Sequence, residues 1–324
     1  MKKLVLLSGL LLFLIPGVVF SQTSGYKISG KINIGGQGWW DYAAVDSQMN
    51  RLYVAHADKV HIIDLNNNKA IGEIDGLNGA HGVVFDDEVE QGFISNGRSD
   101  TVTVFDLKTF KVTEDIHVTG KDPDAIVFDP FTKRVFTMNG RGDNITVIDA
   151  KTDEVVGTFN LEGGLEFAVS NGKGSMFVNL EDKNEVVEFN TKTLEIIKTW
   201  SLAPGEGPSG LAMDIQNNIL FSGCHNKMMV ISDAKTGKVI TTVPIGGHVD
   251  ACAYDPETHL VFSSNGEGNL TVVREESPEI FKVIDNIQTE KGLRTMAFDP
   301  NTHNIYLPGM IGDKDFGVLI LKKE

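Results

Sequence analysis

The chain has 324 residues, 41% of them hydrophobic, with 29 Lys and Arg against 44 Asp and Glu for a formal charge of −15. That length can bury a large core, and the acidic balance disfavours nucleic acid and anionic membrane surfaces as partners. Two cysteines, Cys224 and Cys252, are too few for a disulfide framework.

At the start, Lys2 and Lys3 precede an apolar stretch over residues 4–20, and Val19-Phe20-Ser21 offers a cleavage site before Gln22. A secretory signal over 1–21 is expected, leaving 22–324 as one periplasmic or secreted domain. The competing reading is an uncleaved anchor, but Gly9 and Pro16 interrupt the stretch, and it is shorter than the roughly 20 residues a spanning helix needs. No later segment is apolar enough to span, so no membrane insertion is expected after cleavage.

From residue 26 onward the chain repeats itself. Short apolar runs end on an anchor at Asp46, Asp86, Asp129, Ser170, Asp214, Asp255 and Asp299, spaced by about 40 to 44 residues. Between anchors the pattern is constant, as in AIVFDPFTKRVFTMNGRGDNITVIDA from Ala125 and ACAYDPETHLVFSSNGEGNLTVV from Ala251. Period-two alternation marks strands, and Gly, Asn and Asp clusters mark the turns between them. Four short strands per unit and seven units predict an all-β, seven-bladed β-propeller. The anchors read as turn caps, since Asp bonds the backbone ahead of it and Pro130, Pro256 and Pro300 preset φ. The last unit lacks a fourth strand, and YKISGKINI at 26–34 resembles the fourth-strand segment KVITTVPIGG. The N-terminal strand is therefore expected to complete the last blade and close the ring, which removes exposed sheet edges.

Propeller ligands sit mostly at the channel mouth, where loops from every blade converge. Five residues before each anchor stand Asp41, His81, Asp124, Leu165, Ser209, Asp250 and Arg294, and a one-residue shift in the fourth unit brings in Glu166. Equivalent positions that served packing alone would carry similar apolar residues; these are mostly polar. Loops between second and third strands are expected on the same face. They offer His56, Asn96, Arg98, Asn139, Arg141, Asn179, Glu181, Cys224, His225, Asn265 and Glu267. Asn before Gly reads as a turn residue, whereas Arg98 and Arg141 can bind carboxylate or phosphate bidentately or serve as salt-bridge partners. Trp39 and Trp40 can stack on a ligand ring or pack the loop. For the ring itself three readings stand: a divalent cation such as calcium or magnesium on Asp41, Asp124 and Asp250, general acid–base catalysis, or an internal polar network.

Catalytic signatures are otherwise missing: there is no GxSxG, HExxH, Walker A or CxxCH segment. Arg141-Gly142-Asp143 aligns with Arg98-Ser99-Asp100 and is expected to be an ordinary loop. Asn144 and Asn269 head glycosylation sequons that carry no weight beside a bacterial-looking leader. Cys224 and Cys252, in successive units, are either a disulfide or two buried thiols.

The stretches VFTMNGRGDNITVIDAKTDEVVGTF and GFISNGRSDTVTVFDLKTFKV resemble the YVTN-repeat propellers, the exported YncE-like proteins. The likeness spans the whole domain, with Phe-Thr-Met-Asn or Phe-Ser-Ser-Asn where the family name has Tyr-Val-Thr-Asn. It implies an exported seven-bladed propeller. Some related propellers hydrolyse sugar lactones, and one branch binds single-stranded DNA, which the acidic charge here opposes. The expected function is a module that binds a small molecule or protein partner at the channel mouth. The alternative is a lactonase-like hydrolase, with or without a divalent metal. A subunit of an electron-transfer dehydrogenase is a third, weaker reading, since the chain offers no haem or quinone attachment.

Overall fold

The computed structural model describes residues 23–312 and 315–324; the expected leader lies outside the described residues. Seven four-stranded antiparallel sheets form the blades, and in six of them each strand pairs with the next in sequence. Blades 1 to 7 begin with innermost strands Trp40–Asp46, Ala80–Asp86, Pro123–Asp129, Leu165–Ser170, Pro208–Asp214, Val249–Asp255 and Ala297–Phe298. The outermost strand of blade 7 is Tyr26–Asn33, which pairs antiparallel with Asp315–Lys323 from the other end of the chain. The ring is closed as the sequence predicts. No helix among the described residues is long and apolar enough to cross a membrane.

The core lies between blades. The second strand of every blade carries an aromatic residue at the same register: Tyr53, Phe93, Phe136, Phe177, Phe221, Phe262 and Tyr306. All are at most 2% exposed. Each such side chain contributes about 1.5–3 kcal/mol by leaving water. Gly92 exists beside one of them because a Cβ there would lie 2.2 Å from the Phe105 ring.

The anchors cap turns on the face opposite the mouth. Asp46 accepts bonds from the amides of Gln48 and Met49, and Asp255 and Asp299 repeat the motif. Some also tie neighbouring blades together. Asp129, fully buried, accepts the Thr132 amide at 3.1 Å and its hydroxyl at 2.6 Å, and the Ser170 hydroxyl of blade 4 at 2.5 Å. Asp129→Ala leaves three donors without this acceptor and is expected to cost about 1–3 kcal/mol, read as a lower urea midpoint with unchanged slope. An unchanged midpoint would show the anchor to be dispensable.

Candidate functional site

Six innermost strands carry a β-bulge at their mouth end. In blade 1 the register jumps between Trp40 and Ala43, so Asp41 and Tyr42 together face Ala55. Equivalent irregularities follow Ala80, Pro123, Leu165, Pro208 and Val249. A bulge inserts one residue and re-aims its side chain, and here it turns Asp41, His81, Asp124, Glu166, Ser209 and Asp250 toward one another. In blade 4 the bulge falls on Glu166 and Phe167, so Glu166 stands in the ring and Leu165 is buried in the core. Backbone bonds such as Gly97 N to Gly79 O, Gly140 N to Asp122 O and His225 N to Gly207 O hold the second-to-third-strand loops against the entries to the innermost strands. The two loop sets share a face.

Asp41, Asp124, Glu166, Ser209, Asp250 and Arg294 line a single pocket of about 280 Å³, joined there by Tyr42, His225 and His248. His81 Nδ1 lies 2.5 Å from Asp41 Oδ2 and 3.4 Å from Asp124 Oδ1. The Asp124 oxygen is buried and accepts no hydrogen bond. On the other side Arg294 Nε pairs with Asp250 Oδ2 at 2.9 Å. The Ser209 hydroxyl lies 3.0 Å from Asp250 Oδ1 and 3.3 Å from Glu166 Oε2.

Burial and crowding keep protons on this cluster. Desolvation, then the charges of Asp124, Asp250 and Glu181, pushes Glu166 up to about 9. Desolvation and the Asp41 charge push Asp124 up to about 7, against the pull of His81. Asp41 is also raised, by burial, although its bond to His81 opposes the shift. Burial disfavours the His81 imidazolium, but the bond to Asp41 and the charges of Asp124, Asp41 and Asp122 outweigh it, and its pKa rises.

Oxygen and nitrogen atoms of Asp41, His81 and Asp124 lie within 4.8 Å of one another, a spacing that can hold a metal ion. Of the three carboxylates expected to form such a site, Asp250 is instead engaged by Arg294 and Ser209, and His81 stands in its place beside Asp41 and Asp124.

Tyr42 was not legible as a site residue. It is 8% exposed and lines the acidic pocket, and burial with four surrounding carboxylates holds its phenol well above its usual pKa. Its ring meets Phe167 edge-to-face at 5.3 Å. Below it lies an apolar channel of about 450 Å³ walled by Val45, Phe85, Phe128, Phe167 and Met296. The available signal was a column one residue past the ring: Gly82, Ala125, Gly210 and Ala251 are small there, and Tyr42 and Phe167 are not.

The remaining candidates divide. Trp39, Arg98 and Arg141 line a second cleft together with His81, whose ring reaches Asp41 and Asp124 of the first pocket. His225 Nδ1 lies 3.2 Å from Glu181. Glu267 pairs with Lys227. His56 is elsewhere, 3.1 Å from His61 and stacked on Phe316 at 3.8 Å. Asn96, Asn139, Asn179 and Asn265 are buried and spend their amides on Thr103, Thr146, the Ser209 carbonyl and Thr271. Trp40 packs on Phe316. Arg141, Gly142 and Asp143 form a tight loop in which Arg141 pairs with Asp122 at 3.0 Å. Cys224 and Cys252 are free, buried thiols.

No curated protein matches the chain. A family model described as YNCE-like beta-propeller matches residues 87–262, from the turn after the first strand of blade 2 into the second strand of blade 6. With more than half the sequence covered, and seven blades closed by the N-terminal strand, the chain belongs to the YNCE-like β-propeller family.

Proposed function

We propose that the protein is an exported binding module whose ligand seats in the acidic mouth and carries positive charge there, with a divalent cation such as calcium or magnesium as the case its donors fit. One observation carries the reading. Asp124 presents a buried oxygen with no hydrogen bond, beside Asp41 and His81 and within a cluster of four carboxyl groups that faces the Arg294 guanidinium and the His81 imidazole. Leaving a buried acceptor without a hydrogen bond costs about 1–3 kcal/mol, and the carboxylates of Asp41 and Asp124 are the hard oxygen donors that calcium or magnesium takes. A cation that enters offsets both the unpaired oxygen and the mutual repulsion of the carboxylates.

The test is calorimetry and thermal melting of the purified, chelator-treated protein with calcium and with magnesium. Saturable binding and a raised melting temperature are expected, both lost in Asp124→Asn. A melting curve indifferent to either ion, with no heat of binding, sinks the cation reading and sends the search to organic and protein partners.

A hydrolase is the second reading, favoured by Asp124 itself. A carboxyl titrating near 7 beside an imidazole is able to exchange protons at neutral pH. Turnover of sugar lactones that falls at least a hundredfold in Asp124→Asn separates catalysis from binding alone. Export is tested by N-terminal sequencing of the secreted chain, expected to begin at Gln22.

A further inference from the structure

The second cleft is chemically the opposite of the first. It encloses about 650 Å³ across blades 1 to 3 and is lined by Trp39, Arg98, Lys121 and Arg141 together with Asp100 and Asp122. In a chain with an excess of acids, three of these five charged side chains are cationic. Two are already matched: Lys121 pairs with Asp100, and Arg141 pairs with Asp122. Arg98 has no carboxylate partner among the described residues. Its guanidinium lies 5.4 Å over the Trp39 ring, and Trp39 in turn packs against His81 with ring centroids 5.1 Å apart.

A guanidinium held over an indole is attracted to the ring face through its charge, without spending its N–H groups on that contact. The edge therefore remains free to donate two parallel bonds to a planar carboxylate or to a phosphate. Gly97 lets the floor of the cleft pack closely: a Cβ there would lie 2.2 Å from Asp122 Oδ1 and 2.6 Å from His81 Nε2. Arg141, 83% exposed, can swing from Asp122 onto a bound anion.

We infer that this cleft is a subsite for the carboxylate or phosphate group of a small organic anion, with Arg98 as its principal contact and Trp39 as the platform that holds Arg98 in place. The subsite goes beyond the cation reading of the mouth and does not depend on it, since of Asp41, His81 and Asp124 only His81 lines the cleft. A ligand with charges of both signs would span them.

The experiment titrates the chelator-treated protein with benzoate and with phenyl phosphate, following tryptophan fluorescence and heat. At least one probe is expected to bind saturably, by about 1 mM, and more weakly as salt rises. Arg98→Gln, a change at an exposed side chain, is expected to weaken that binding tenfold or more. Arg98→Lys should not restore it, because an ammonium lacks the two-pronged edge, and Asp124→Asn should leave it unchanged. The preferred probe tells carboxylate from phosphate. No saturable binding of either probe, or equal binding by Arg98→Gln, overturns the assignment. So does binding that appears only with added calcium, which would place the anion on the metal instead of in the cleft.

Discussion

Removal of residues 23–34 is expected to leave a chain that fails to fold stably, although every residue of the other six blades is intact. Among the described residues the strand Tyr26–Asn33 is the only cover on the outer edge of Asp315–Lys323, and it buries Tyr26 and Ile32 at 3% and 4% exposure. Tyr26 meets Phe262 edge-to-face at 5.0 Å and donates its hydroxyl to the His303 carbonyl at 2.8 Å, joining blade 6 to blade 7. Ile32 packs with Phe316, Val318 and Ile320. The two side chains alone contribute about 3–6 kcal/mol, a large part of the 5–15 kcal/mol typical of a folded domain. The uncovered edge would then pair with other copies. Light scattering and urea melts of the shortened chain measure the loss, and a synthetic peptide of residues 23–35 added in trans should recover part of it. A shortened chain that stays monomeric, with the full-length midpoint, would show that closure does not hold the ring.

That strand was legible because its alternation matches the fourth-strand segments of other units, and the missing strand at the other end called for a partner. The blade count was legible for a similar reason: Asp, Asn and Gly recur where the backbone must turn, and turn chemistry is local. The ring was legible only in part. Counting back from the anchors gave Asp41, His81, Asp124, Ser209 and Asp250, because each of those strands has its bulge at the same distance from its cap. In blade 4 the distance is shorter by one, which is why Leu165 fell in the column that Glu166 occupies. Which carboxylates approach His81 depends on how blades 1 to 3 sit against one another, and no local pattern encodes that. Tyr42 was hidden for the opposite reason, since an aromatic residue on an innermost strand looks like core. Only the small residues at the same place in four other blades set it apart.

Raising the pH from 5 to 9 in the presence of chelator is expected to destabilise the protein, and Glu166→Gln is expected to remove much of that loss. The folded pKa of Glu166 is pushed from 4.5 to about 9 and that of Asp124 from 3.8 to about 7. Between the unfolded and folded values the folded state holds protons that the unfolded chain has released. Stability therefore declines as pH climbs, from about 4.5 to 9 for Glu166 and from about 3.8 to 7 for Asp124. His81 acts in the same direction: its folded pKa is raised, so the stability it lends is complete below 6.5 and is lost as pH passes through the higher folded value. One unit is worth about 1.4 kcal/mol. Because Glu166 is partly exposed and its neighbours titrate with it, about 2–3 kcal/mol of loss is a reasonable share for this residue. Gln keeps the shape and cannot ionise, so at pH 9 the variant should be more stable than the parent, while near pH 5 the two should match. Calcium should act like the missing proton and recover stability at pH 9 in the parent. Urea midpoints at pH 5, 7 and 9, with and without calcium, decide it. A parent as stable at 9 as at 5, or a variant weaker than the parent at 9, means that the mouth is an already balanced network. In that case its carboxylates have nothing to gain from a cation, and the ligand must be sought among the anions of the neighbouring cleft.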